Sequence, residues 1–402
     1  MASDPNTSSS GVERIPDFEI SQIQFLVASN RHPELLEKLL KSIEANAMAP
    51  YYLYLAKEIK LTGLVFDQSL YDSLAAINTS KVEELTRKIA EVDEEDEGEL
   101  EIARGWTKLG EYYAQIGDRE NAVTTLRKAI ELAASTGSKI DLLLTIARVG
   151  FFFDDKKFVK ETLDQSNALI EKGGDWERRN RYKAYLGIYL MSTRMFEEAA
   201  KLLIDSLATF TSTEVTTYES IAQYALVCGT ISLERQEIRK KLIESPEILS
   251  IATTTNTLDP VFKLVKSLYF CEYNTFFANL LETNDTILVT DKYLAPHASY
   301  YMREIRVRAY AQLLESYKSL SLKSMAEHFQ IPADFLDADL CKFIPNNKLN
   351  CVIDRVNGIV ETNRPDNKNN QYQLLLKNGD SLLTKLQKYG AAVRLSGAER
   401  VA

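Results

Sequence analysis

Residues 106–126 read WTKLGEYYAQIGDRENAVTTL, and their spacing decides the fold class. Trp106, Leu109, Gly110 and Tyr113 lie at helical steps, and Ala122 and Leu126 follow on a second helical stretch. Two antiparallel helices that cross closely need small residues at the crossing, and Gly110 and Ala122 fit that place. Trp106, Leu109, Tyr113 and Leu126 have the bulk to fill the space between this hairpin and the next. Gly117-Asp118 supplies the turn.

The pattern recurs. Ala147, Phe153, Val159 and Leu163 take comparable places around an Asp154-Asp155 turn, and Leu186-Gly187 with Ala199 and Leu203 form a third copy. The steps from Ala122 to Val159 to Ala199 are 37 and 40 residues, a loose version of the tetratricopeptide period. Residues 101–204 are therefore expected to form TPR-like repeats in a right-handed helical solenoid. Each hairpin in such a stack buries its apolar face only against its neighbours, which leaves an extended surface better suited to holding other chains than to catalysis.

Composition agrees with a mainly α protein. Across 402 residues there are 16 Gly and 10 Pro, too few turn-formers for an all-β chain. The formal net charge of −9 is unevenly spread. Cys341 to Ala402 carries ten Lys and Arg against five Asp and Glu, so this end is +5 and the rest is −14. An acidic body argues against a general nucleic-acid binder. Four scattered cysteines, Cys228, Cys271, Cys341 and Cys351, suit neither a disulfide framework nor a zinc cluster. No secretory signal is read at the N-terminus. The most apolar stretch, Leu142 to Phe153, is interrupted by Arg148 and is short of a membrane span. Cytoplasm and nucleus are the expected compartments, with no membrane partner.

Outward from the repeats, residues 1–16 are Ser-rich and polar and are expected to be a disordered tail. Residues 17–100 read as an N-terminal helical region, with Ile23, Leu26 and Val27 on one helix face and Leu35, Leu36, Leu39, Leu40 and Ile43 on the next. It ends in EVDEEDEGELE (91–101), where eight of eleven side chains are acidic. A metal or basic-partner site is one reading; a solvated helix end or loop is the ordinary behaviour of such a charge block. The basic string Trp176-Glu-Arg178-Arg179-Asn-Arg181-Tyr182 could grip phosphate. The competing expectation is that it starts a repeat helix and pairs its arginines with acidic neighbours or a partner chain.

Residues 205–375 change character. A helix from about Met302 to Leu320, a short helix capped by Ser321, and a third helix carrying Phe335, Leu336, Leu340 and Phe343 precede two β-rich runs. Those runs, Leu349 to Ile353 and Ile359 to Thr362, flank Asp354-Arg-Val-Asn357-Gly358, where Asn-Gly signals a hairpin. Three helices and a β-hairpin make a winged helix at about 302–363. In 370–402, Tyr372, Leu375, Gly379, Leu382, Leu386 and Tyr389 fall on alternating three- and four-residue steps, widened by Leu376 and Leu383. This is a heptad seam that must be buried against something. Tyr372, Leu375, Leu382, Leu383, Leu386 and Tyr389 are the candidate assembly interface.

Catalytic patterns do not emerge. His32, His297 and His328 are not paired at metal-binding helical spacing, and no nucleophile elbow, phosphate-binding loop or dinucleotide fingerprint occurs. No catalytic, metal or cofactor residue is assigned. The winged helix raises a nucleic-acid alternative, but its third helix, Ala333 to Phe343, sets Asp334, Asp337 and Asp339 against Lys342 alone. Phosphates would repel it, which favours protein contact.

Helical hairpins running into a winged helix with LNCVIDRVNGIVE (349–361) resemble the PCI family. That family supplies scaffold subunits to the proteasome lid, the signalosome and translation-initiation factor 3. EEDEGELE (94–101), LGEYYAQIGD (109–118), GGDWERRNRY (173–182), EEAAKLLIDSLATFTS (197–212) and AQLLESYKSLSLKSMA (311–326) are similar to the proteasome-lid branch. The likeness runs from MAPYYLYL at residue 48 to the end. It implies a non-catalytic hetero-oligomeric scaffold in ubiquitin-dependent protein degradation. Expected partners are other PCI subunits, the deubiquitinase-bearing lid subunits and the ATPase ring, with winged helices side by side and C-terminal helices in a shared bundle. No nucleic acid is expected. The alternatives are a PCI scaffold of the signalosome or initiation factor, or a nucleic-acid-binding winged-helix protein.

Overall fold

The computed structural model describes residues 14–61, 63–94, 99–363 and 367–398. They fall into two compact units that divide between Arg306 and Val307.

In the first unit, α1 (Phe18–Ala28), α2 (Leu36–Ala45) and α3 (Ala49–Tyr54) gather Ile20, Ile23, Val27, Leu39, Ile43, Tyr51 and Tyr52 into one apolar cluster with Phe152. The segment ahead of α1 is packed, not loose. Ile15 is buried against Ala114, Ala122 and Val149. The expected tail of 1–16 is therefore corrected for residues 14–16, and residues 1–13 lie outside the described part. The polar run around Ser8 concealed one apolar residue that finds a core. The long α4 (Gln68–Glu94) packs on α5 (Glu99–Ile116) where a Cβ at Gly105 would meet Ile89. The middle of the acidic run, 95–98, lies outside the described residues. At its end Glu101 pairs with Arg104, both well exposed.

The hairpins follow as α5 with α6 (Arg119–Leu132), α7 (Thr136–Phe152) with α8 (Lys156–Gly173), and α9 (Trp176–Ser192) with α10 (Phe196–Leu207). Each turns through a residue of positive φ: Gly117 at 80°, Asp154 at 57° and Arg194 at 70°. The second helix of the first two pairs is then capped by an aspartate. Asp118 accepts from the Asn121 N–H at 3.2 Å and Asp155 from the Phe158 N–H at 3.1 Å. This satisfies donors the first helical turn cannot pair internally. The buried run from Leu142 to Phe152 makes α7 the centre of the stack.

A Cβ at Gly110 would stand 2.7 Å from Leu126, at Gly150 2.7 Å from Val159, and at Gly187 2.8 Å from Leu203. At all three helix crossings a side chain in place of glycine would have to displace its neighbour. Gly229, on α11 (Tyr218–Ser232), repeats the arrangement against Leu242 at 3.0 Å. Leu242 lies in the π-helical turn Arg239–Ile243 after α12 (Arg235–Ile238). A fourth hairpin of this kind thus extends the stack beyond the expected boundary at 204. The unit continues through α13 (Pro246–Thr254), α14 (Asp259–Phe270) and α15 (Tyr273–Thr283) into α16 (Ala298–Ser316), within which the two units divide. By contacts, the helical part of the expected 205–375 region lies in the first compact unit as far as Arg306.

The second unit contains the winged helix. The expected helix from 302 to 320 stops at Ser316, and Ser319–Ser321 forms β1 instead. Leu320 pairs with Val360, so its apolar side chain serves a sheet rather than a helix face. Helices α17 (Leu322–Phe329) and α18 (Ala333–Phe343) follow, then β2 (Cys351–Asp354) and β3 (Ile359–Thr362), in the sheet order β1-β3-β2 with antiparallel pairing. In its core the Tyr310 ring meets Phe329 edge to face and Phe343 at a tilt. The chain ends in α19 (Asn367–Ala398).

Candidate assembly surfaces

In α19 every described side chain is exposed. Tyr372, Leu375, Leu382, Leu383, Leu386 and Tyr389 are each between 57% and 72% exposed, and Leu374, Leu376 and Val393 join them. Leu374 was missed in the sequence because it falls outside a strict heptad step. A helix normally turns such a stripe inward; here a 32-residue helix presents it to solvent. Nothing lies within 4 Å of a Cβ placed at Gly379 or Gly390.

The wing is built from its turn. Asp354 pairs with Ile359, leaving a four-residue connection, 355–358. The Asp354 carboxylate accepts from the Val356 N–H at 2.9 Å and from Asn357 Nδ2 at 2.7 Å. These bonds hold its pKa below the usual carboxylate value, the Asn357 side chain contributing most. Gly358, at φ 64°, closes the turn. Asn357-Gly358 is therefore not the two-residue turn the dipeptide suggests; the aspartate's own hydrogen bonds select a longer loop. Since β3 is central, one edge of β2 is unpaired among the described residues; Val352 on this strand and Val356 in the turn are exposed. On α18, Asp337 pairs with Arg355 of the wing at 3.0 Å, and Phe335 is exposed.

The repeat residues lie where two helices meet. Leu109 and Ala122 are buried, Trp106 packs on the cluster of Leu126, Ala129 and Ile146, and Tyr113 packs beside Ala114 and Ala122. Lys128 sits over the Trp106 ring, 5.0 Å from its centre. Sequence reading missed Gly150 and Gly229 because neither has a leucine before it to mark a repeat.

The basic string at 176–182 is largely committed within the fold. Arg178 donates through Nε and Nη2 to Asp141 at 3.0 and 2.7 Å. Arg181, 5% exposed, reaches Asp141 Oδ1 at 2.9 Å and Glu214 Oε1 at 2.9 Å. Glu214 also accepts from the Tyr185 hydroxyl at 3.1 Å. These bonds tie α9 to α7 and to the segment after α10, leaving Arg179 of the three arginines at the surface. Among the described residues no group of three or more His, Cys, Asp or Glu could hold a metal ion. Among them, too, no helix is long and apolar enough to cross a membrane.

Comparison with known families finds three matches along the chain. Residues 67–241 match the family described as 26S proteasome subunit RPN7. Residues 281–364 match the PCI domain, and 371–393 match the 26S proteasome regulatory subunit RPN7/PSMD6 C-terminal helix. The first match ends within the fourth glycine-crossed hairpin; the last covers the exposed stripe of α19. The 26S proteasome regulatory subunit RPN7 of Saccharomyces cerevisiae is 55% identical, over 97% of this chain and 96% of its own length. The subunit rpn7 of Schizosaccharomyces pombe is 44% identical over 96% and 98%. The 26S proteasome non-ATPase regulatory subunit 6 of Dictyostelium discoideum is 37% identical over 96% and 99%. Identity at this level across nearly the full length places the chain in the RPN7/PSMD6 family of 26S proteasome regulatory subunits.

Proposed function

We propose that this chain is a non-catalytic scaffold of the proteasome regulatory-particle lid, and that it supports ubiquitin-dependent degradation by holding other subunits in place. One observation carries the reading: α19 exposes a long apolar stripe on a chain whose relatives are named proteasome regulatory subunits. A stripe of this width is stable in water only when other apolar surface covers it, and neighbouring helices are the usual cover. Tyr372, Leu375, Leu382, Leu383, Leu386 and Tyr389 are proposed to join a helical bundle with C-terminal helices of other lid subunits. The open edge of β2 and the wing around Asp354 and Asn357 are proposed to meet a neighbouring PCI subunit. The long repeat surface would face the deubiquitinase-bearing subunits and the ATPase ring, in the cytoplasm and nucleus. The acidic α18 and the internally paired Arg178 and Arg181 favour protein over nucleic-acid partners.

Affinity purification of the tagged full chain, with its companions identified by mass spectrometry, tests this. Recovery of lid and ATPase subunits in fixed proportion is the expected result. Recovery mainly of signalosome or initiation-factor subunits, or of nucleic acid, would overturn it.

A further inference from the structure

The segment between α15 and α16 crosses the ends of helices far from it in sequence. Gln22 of α1 clasps it with both ends of its amide: Nε2 donates to the Thr290 carbonyl, and Oε1 accepts from the Lys292 N–H at 3.1 Å. The Lys292 ammonium then donates to Ser21 Oγ at 2.6 Å, to the Phe152 carbonyl at 2.9 Å and to the Phe151 carbonyl at 3.2 Å. Ser21 is buried and donates its own hydroxyl to the Phe152 carbonyl at 3.2 Å.

The last carbonyls of an α-helix have no partner within the helix, and a positive charge there also offsets the negative end of its dipole. Lys292 supplies both to α7 from more than a hundred residues away. All three of its N–H groups are used, one on α1 and two on α7. Burial pushes its pKa down to about 8, as expected for a charge in a poorly solvated place. The same segment is anchored on either side of Lys292. Asp291 accepts from the Tyr224 hydroxyl of α11 at 2.6 Å, and His297 Nε2 bonds the Ser192 carbonyl at the end of α9 at 2.8 Å. A cavity of about 270 Å³ lies alongside, with Asp17, Gln22, Glu214, Tyr224, Asp291 and Lys292 in its walls. One flank of α1 is thus bordered by this cavity, while its apolar face, Ile20, Ile23 and Val27, is buried in the cluster with Phe152.

We propose that Lys292 is the pin of a latch that holds α1 onto the end of α7, so that loss of its three donors frees α1 locally while the repeats stay folded. Anchored through Asp291 and His297, the segment keeps its course without the pin; α1 has only Ser21 and Gln22 as directed bonds to it.

Hydrogen exchange on the full chain, read by mass spectrometry, tests the latch. In Lys292→Met, amides of 18–28 are expected to exchange about tenfold faster or more, while those of α10, whose Ala199, Ala200 and Leu203 are wholly buried, keep their parental rates. The Ser21→Ala, Gln22→Ala double variant is expected to shift the same peptide by a smaller factor. Unchanged exchange at 18–28 in Lys292→Met would overturn the proposal, and so would an equal acceleration in α10, which marks general loosening. Should Lys292→Met not fold, the double variant decides by the same two criteria.

Discussion

Helices α7 and α19 both carry runs of large apolar side chains, and those runs have opposite fates. From Leu142 to Phe152 every residue of α7 is buried, a charged Arg148 among them. Every described side chain of α19 is exposed, including six leucines and two tyrosines. Part of the difference is composition, since α19 has a charged and polar face that this stretch of α7 lacks apart from Arg148 and Thr145, and part is the neighbours. Helices on either side of α7 bring glycine-thin crossings and aspartate-capped turns, so neighbours can close over it. Among the described residues no element closes over the stripe of α19, and the winged helix keeps its core in Tyr310, Phe329, Phe343 and Val360. Apolar periodicity states that a face requires cover; it does not state which chain supplies it.

This contrast can be broken most sharply at α19 itself. Replacing Leu382 and Leu386 with Asp removes about 1.5–3 kcal/mol of burial at each site and adds two charges to be desolvated. Incorporation into the assembled complex, followed on native gels, is expected to fall by about a hundredfold or more. The isolated variant should melt with the parent, because both leucines are already exposed. A lowered melting temperature would mean that α19 belongs to the chain's own core, and normal incorporation would mean that the stripe is not an assembly surface.

The repeat side should give the reverse outcome. Gly110→Leu drives a side chain into Leu126, where even a Cβ stands 2.7 Å away. Overpacking of this kind costs about 1–3 kcal/mol. Chemical denaturation of the isolated chain should therefore show a lower midpoint, with assembly impaired only as far as folding is. Parental stability would remove Gly110 from the helix crossing.

A smaller effect separates the regions by pH. Burial holds the His297 pKa below its ordinary 6.5, assisted by the nearby Arg194 and Lys156 charges. The unfolded chain therefore binds a proton here more readily than the folded one, so this residue's stabilisation is present above pH 6.5 and is lost as pH falls below it. Between pH 7.5 and 5.5 the parent should lose more stability than His297→Gln, whose amide can still donate to the Ser192 carbonyl. Equal losses would show that His297 does not titrate in this window. α19 contains no histidine, so the Leu382 and Leu386 variant should follow the parent's pH profile.

Much of this is legible in the sequence. The spacing of Trp106, Leu109, Gly110 and Tyr113 announces a helical hairpin because a 3.6-residue period and a small residue at a crossing are local requirements. The α19 stripe could be read for the same reason. Where the reading failed, a distant partner had overridden a local signal. Ser319–Leu320 continues a helical pattern, yet becomes β1 because β3, some forty residues on, offers it backbone bonds. Ile15 looks like part of a tail until Ala114, Ala122 and Val149 come together around it.

The sequence by itself determined the helix-rich class, the repeat hairpins, the winged helix and the need to cover α19, since each follows from spacing along one chain. Only the tertiary structure decided that the stack runs through a fourth crossing at Gly229, that Arg178 and Arg181 are occupied by Asp141 and Glu214, and that Lys292 caps a helix 140 residues before it. Those are contacts between residues far apart in sequence, and neither composition nor periodicity carries the distance between two points that only folding brings together.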